Sequence, residues 1–154
     1  MTRQNLFSGE WDGENEEDGT RHRIFWRPDD ARLGATLYEL APGAREYNLH
    51  MHFNVEEMFF VLSGRPKFRT QHGEEMLAAG DFVFCPEGRA GLHTFSNPTD
   101  EPVRLLAISA GSFPDVVAYP EDGYAWVATR NPHREPEGDP GIIARFEIPI
   151  EESG

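Results

Sequence analysis

Short apolar runs separated by turn residues recur along this chain, with almost no 3.6-residue periodicity. The runs lie at 24–26, 35–40, 47–52, 58–62, 67–70, 74–78, 82–85, 92–97 and 103–110. Most are closed by Gly, Pro, Asn or Asp, the residues that end strands and open turns. Such spacing predicts an all-β sandwich or barrel. Beyond Val117 the pattern loosens. The runs at 124–129 and 142–148 read as further edge strands or as an extension that packs on a partner subunit. A lone helix is suggested only near 28–33.

Alternation within the runs carries the chemistry, because a strand sends every second side chain to one face. In 47–52, Asn48, His50 and His52 share one side, and Tyr47, Leu49 and Met51 the other. Glu57, Phe59 and Val61 share a side of the next run; His93, Phe95 and Asn97 do so two turns later. Three imidazoles and one carboxylate from three strands can therefore converge beside Phe59, Val61 and Phe95. Mixed N/O donors of this kind suit a divalent first-row ion such as Mn, Fe, Co, Ni, Cu or Zn. Neutral imidazoles with one carboxylate leave that ion a net charge of about plus one, and about two open positions if it is octahedral.

A His-x-His pair alone is weak evidence, since alternation places any two such residues together; the order of the surrounding residues is more specific. Gly43, His50, His52, Glu57 and Gly64, separated by six, one, four and six residues, resemble the first motif of the cupin superfamily. Gly80, Pro86, Gly88, His93 and Asn97, separated by five, one, four and three, resemble the second. Fifteen residues lie between Gly64 and Gly80, as in small single-domain members. Against the pattern, one residue is added before His50 and two before His93. The resemblance implies a single double-stranded β-helix, the jelly-roll barrel, with His50, His52, Glu57 and His93 holding one divalent metal ion. It also implies turn roles for Gly64, Gly80, Pro86 and Gly88, a structural role for Asn97, and a homodimer formed through sheet packing and exchanged terminal strands. Glu56 is expected to face outward on strand alternation.

At 154 residues the chain suits one such domain. The expected organisation is an acidic arm at 1–20, the barrel at 21–118 and a C-terminal extension at 119–154. The net charge of −13 is concentrated at the ends. Residues 1–20 hold six acids against one arginine, and 131–154 six acids against two. That distribution argues against nucleic acid, whose binding runs on clustered Lys and Arg. No run approaches the roughly 18 apolar residues that span a bilayer, and the first residues lack the apolar stretch of a secretory signal. Cys85 is the single cysteine, so no internal disulfide is possible; it reads as a buried small hydrophobe. A cytoplasmic location is expected.

Arg45, Tyr47 and Arg89 flank the ligand positions and could face a ligand; His22, His72 and His133 read as solvated. No residue stands out as a general base. Two functions fit these residues. One is a metal-dependent enzyme acting on a small polar organic molecule by oxygenase, isomerase or decarboxylase chemistry. The other is a non-catalytic protein that binds a sugar or carboxylate in the same barrel.

Overall fold

The computed structural model describes residues 3–25, 28, 31–129 and 141–150. Thirteen strands form three hydrogen-bonded sheets. Six make the first sheet, in the order β1 (Gly13–Glu14), β2 (Arg21–Ile24), β3 (Leu33–Leu40), β10 (Val103–Gly111), β5 (Val55–Ser63) and β8 (Phe82–Cys85). The second sheet runs β13 (Ile142–Glu147), β12 (Tyr124–Ala128), β11 (Asp115–Tyr119) and β4 (Met51–His52). The third is β7 (Gly73–Met76), β6 (Lys67–Thr70) and β9 (His93–Ser96). Isolated bridges between His50 and His93 and between Arg45 and Ser96 join the second and third sheets into one curved layer. That layer packs face to face against the six-stranded sheet, giving the all-β double-stranded β-helix that the motifs imply.

The main core lies between the layers and draws on both. Leu40, Phe59, Val61, Val103 and Leu105 come from the first, and Phe68 and Phe95 from the second. Leu40, Phe95 and Leu105 are fully buried, each contributing about 1.5–3 kcal/mol of apolar transfer free energy. Leu49 and Met51 point the other way, into a smaller cluster with Leu92, Ala118 and Ala125 on the outer side of the curved layer.

Of the 28–33 segment, residues 29 and 30 lie outside the described residues and Leu33 belongs to β3; the described residues hold no α-helix, only a single 3-10 turn at Arg89–Gly91. None of the described residues forms a helix long and apolar enough to cross a membrane. Within 1–20, β1 pairs with β2, and the Arg21 guanidinium lies 4.9 Å over the Trp11 ring. Within 119–154, β12 and β13 extend the curved layer of the same chain. His22 sits in β2 opposite Gly13 rather than in a turn. His72 is exposed in its turn, and His133 lies outside the described residues. The outer face of the six-stranded sheet carries an apolar row at its β8 edge: Phe82 stacks on Phe60 at 5.6 Å, and Phe82 and Phe84 are 61% and 52% exposed.

Two motif residues act as clasps. Gly64 has φ +80°, and a Cβ there would lie 2.9 Å from the Pro102 carbonyl oxygen, so the β5 turn admits only glycine. Asn97, 1% exposed, donates to the carbonyls of Leu40 (3.0 Å) and Glu101 (2.8 Å) and accepts from the Thr99 backbone N–H (3.0 Å). Replacing Asn97 by Ala removes the partner of the buried Leu40 carbonyl and one of the two partners of the Glu101 carbonyl. Asn97→Ala is expected to cost about 2–3 kcal/mol of stability in urea unfolding; a loss under about 0.5 kcal/mol would remove Asn97 as a clasp.

Candidate metal centre

The centre is built on one backbone pairing. His50 N–H donates to the His93 carbonyl (3.1 Å) and His93 N–H to the His50 carbonyl (2.9 Å). Two residues that exchange both bonds stand directly opposite each other and present side chains on the same face. Their imidazole centroids are 4.6 Å apart. His52, two residues on, pairs with Val117 of β11, and its ring lies 5.2 Å from that of His50. Glu57 comes from the opposite layer, in β5 between Ser109 and Cys85. The site therefore bridges the two layers, with three histidines from one and the acid from the other.

Each imidazole is held by its Nδ1. His50 Nδ1 lies 2.8 Å from the Asn48 carbonyl, and His93 Nδ1 2.8 Å from the Gly91 carbonyl. A carbonyl only accepts, so both Nδ1 atoms carry the proton and both Nε2 atoms offer a lone pair. His52 Nδ1 lies 2.6 Å from Asp115 Oδ2, while Asp115 Oδ1 accepts from the backbone N–H of Phe53 (3.1 Å) and Asn54 (2.8 Å). A carboxylate behind a histidine fixes the ring and raises its basicity, the usual support of a metal ligand.

Three of the four free ends converge, and His93 meets this group through Glu57 alone. One donor atom from each of His50, His52 and Glu57 lies within 4.8 Å of the others. Glu57 Oε2 is 3.5 Å from His93 Nε2 and 3.6 Å from His52 Nε2. Glu57 Oε2 and His93 Nε2 are buried and have no hydrogen-bond partner among the described residues. An orphaned carboxylate oxygen facing an orphaned imidazole nitrogen is costly in a dry interior. Two donors on one first-row ion, each at about 2.0–2.2 Å, lie roughly 3.0–3.5 Å apart, so the spacing suits a shared cation.

Protonation follows from the surroundings. Burial, with His93 and His52 nearby, drives His50 well below the usual imidazole range. Burial also lowers His93, with Glu57 opposing it. For His52 burial acts downward too, but Glu57 and the hydrogen-bonded Asp115 outweigh it and the net shift is upward. At neutral pH His50 and His93 are thus neutral, as ligation requires.

His50, His52 and Glu57 line a cavity of about 380 Å³, whereas His93 (1% exposed) lies in the core beyond its wall. Glu56 is exposed, as alternation requires. Tyr47 and Asn48 depart from the expected faces: Tyr47 lines the cavity, its ring 5.9 Å from that of His50, and Asn48 turns outward to Asp122 (3.0 Å). The cause is a bulge. Glu46 N–H bonds the Phe95 carbonyl and His50 pairs with His93, so three residues oppose Thr94 alone, and alternation fails between them. Arg45 and Arg89 are exposed and do not line the cavity; Arg32 does. Cys85 is buried in the main core, and burial, with Glu57 and Glu46 near, pushes its thiol up, out of nucleophile range.

Sequence reasoning missed four contributors. Asp115 opens β11, whose alternation is blurred because Ala118 and Tyr119 are both buried. Gly91 ends the lengthened turn before His93; a Cβ there would lie 1.7 Å from the Pro86 carbonyl oxygen, so only glycine lets its carbonyl reach the His93 ring. Glu46 is 8% exposed in the cavity wall with Oε2 unpartnered, and burial, with Glu57 nearby, raises it well above the carboxylate range. Trp126, in the loosely patterned stretch beyond Val117, lines the cavity.

Comparison with known proteins agrees with this fold. Residues 36–109 match the family described as the cupin domain. A structure from Acidithiobacillus ferrooxidans, of a protein provisionally named a sugar phosphate isomerase, superposes with a TM-score of 0.59 at 31% identity, over 67% of this chain. The match spans 64% of that protein, a little under two thirds of its length. A sugar phosphate isomerase of the cupin superfamily from Silicibacter pomeroyi gives a TM-score of 0.65 at 22% identity, over 80% of this chain and 76% of that one. A polyketide cyclase from Streptomyces resistomycificus gives 0.59 at 22% identity, over 71% of this chain and 79% of that one. At 22% identity the last two speak for the fold alone. No curated protein matches the sequence. Motif order, layer topology and these matches converge on one conclusion: residues 36–109 form a cupin domain.

Proposed function

We propose that this protein is a metal-dependent enzyme whose His50, His52, Glu57 and His93 hold one divalent first-row ion beside a small-molecule cavity. The observation that supports it best is the buried pair of Glu57 Oε2 and His93 Nε2, 3.5 Å apart and otherwise unpartnered, among three imidazoles held through Nδ1. Such an ion would supply a Lewis acid that polarises a bound oxygen atom.

The chain's own residues do the rest. Asp115 holds the His52 ring so that Nε2 faces Glu57, and the Asn48 and Gly91 carbonyls hold the other two rings. The apolar and aromatic wall, including Val55, Val117 and Tyr119, keeps water away from a bound molecule. Glu46, raised well above the carboxylate range by burial and by Glu57, is the one described carboxyl of the wall outside the ligand set and its Asp115 support. It is the candidate to donate or take a proton within the cavity. The exposed Phe82 and Phe84 beside Phe60 make the outer sheet face the natural contact for a homodimer.

Untagged protein is expected to carry or take up about one metal ion per chain by inductively coupled plasma mass spectrometry. His93→Ala is expected to lose it while circular dichroism stays that of a folded β protein. Absence of metal, after incubation with each of Mn, Fe, Co, Ni, Cu and Zn, would reject the reading. A metal-loaded protein that binds a broad substrate panel without turnover would reduce it to a binding protein.

The supporting carboxylate has its own signature. Asp115→Asn keeps an acceptor for the two backbone N–H groups but removes the charge behind His52, and is expected to weaken metal binding roughly 10–100-fold. Unchanged affinity would remove Asp115 from the site. In pH, the raised His52 sets the sign. Its proton must leave before Nε2 can ligate, so apparent affinity is expected to fall as pH drops through the His52 pKa, with proton release on binding. Calorimetric titration with Zn at several pH values measures both; affinity that rises towards acid pH contradicts the assignment.

A further inference from the structure

The cavity in front of the histidines also discriminates between kinds of ligand. Five of its lining residues are aromatic: Tyr38, Tyr47, Phe113, Tyr119 and Trp126. The Tyr119 ring lies 5.5 Å from the His50 ring and nearly parallel to it (24°), and Trp126 meets Tyr119 edge-on at 5.6 Å. Val55, Ala107, Val117 and Ala128 fill the spaces between. A volume of about 380 Å³ lies at the small end of the usual range for small-molecule pockets, enough for a compact ring compound.

The charge of the wall is the second observation. Glu46, Glu57 and Asp115 all line it. Arg32 is its only lysine or arginine among the described residues, and it is exposed at the edge, with Nη2 3.2 Å from Ser112 Oγ. A phosphate dianion needs several charge-assisted donors to replace its water. Glu57 belongs to the ligand set and Asp115 stands behind His52, so among the described residues the wall offers a phosphate one peripheral guanidinium, which does not provide them. The described residues also contain no α-helix whose N-terminus could serve instead.

We propose that the cavity takes an unphosphorylated, ring-bearing molecule with two adjacent oxygen donors, and that it excludes phosphorylated sugars. The ring lies against Tyr119 and Trp126, and the adjacent oxygens face the His50, His52 and Glu57 side. The name carried by the 31%-identical relative therefore does not transfer to the ligand of this chain. This rests on the metal-centre reading above, because the two oxygens are assigned to the open positions of the ion.

The test uses the full-length protein loaded with zinc, which undergoes no redox change, and two probes. 4-Nitrocatechol represents a ring with adjacent oxygens; glucose 6-phosphate represents a phosphorylated sugar. Zinc stoichiometry is measured first: a chain that takes up no metal loses the metal-centre reading and this inference together. With zinc bound, calorimetry is expected to give 4-nitrocatechol a Kd at least about tenfold below that of glucose 6-phosphate. Trp126→Leu, with zinc retained, is expected to weaken the catechol about three- to tenfold. Equal or tighter binding of the sugar phosphate, or no measurable catechol binding at millimolar concentration, overturns the inference and leaves the metal centre standing. The wild-type comparison decides the matter even if Trp126→Leu does not fold.

Discussion

The reciprocal backbone pair between His50 and His93 is the constraint on which the rest of the site depends. Those two hydrogen bonds join the sheet carrying β4 to the sheet carrying β9 and thereby complete the curved layer. They also place two imidazoles side by side without any side chain having to reach. His52 follows by alternation, and Glu57 is brought opposite by the packing of Phe59 and Val61 against Phe95. The core and the site are therefore one structure: what closes the barrel also assembles the donors.

That arrangement is electrostatically unbalanced by itself. Two imidazoles whose protons burial disfavours, a third shifted upward by Glu57 and Asp115, and a carboxylate with an unpartnered oxygen are poor company in a dry interior. Buried polar groups persist where folding energy from elsewhere holds them, here the aromatic and aliphatic core behind the site. A cation satisfies the carboxylate oxygen and the imidazole nitrogens at once, which is the physical content of the functional reading. The cavity has a different character. Its aromatic faces and, among the described residues, its single peripheral guanidinium offer few charge-assisted donors to a phosphate.

Much of this was legible in the chain because β structure writes itself with a period of two. The strands β6 and β8 lie at 67–70 and 82–85 as the apolar runs place them, and Glu57, Phe59 and Val61 share a face as expected. The order of glycines, histidines and Asn97 brought the fold and the candidate donors within reach of inspection. What stayed hidden lay where periodicity breaks. Tyr47 and Asn48 sit in a bulge, and a bulge reverses the faces of the residues inside it. Asp115 is distant in sequence from His52 and meets it only through the pairing of β11 with β4, a non-local contact with no local pattern. Nothing in the residues around Glu46 marks it as buried; its burial is a property of the closed barrel. Gly91 was unremarked because its role is to let a carbonyl pass close to Pro86.

The central claim is that four side chains from two facing sheets share one ion, and anomalous scattering tests it most directly. Crystals of protein loaded with zinc, measured on both sides of the zinc absorption edge, are expected to show one strong anomalous peak per chain. It should lie about 2.0–2.2 Å from the Nε2 atoms of His50, His52 and His93 and from a carboxylate oxygen of Glu57. A peak bound elsewhere, or none between these four residues in fully loaded protein, would contradict the account.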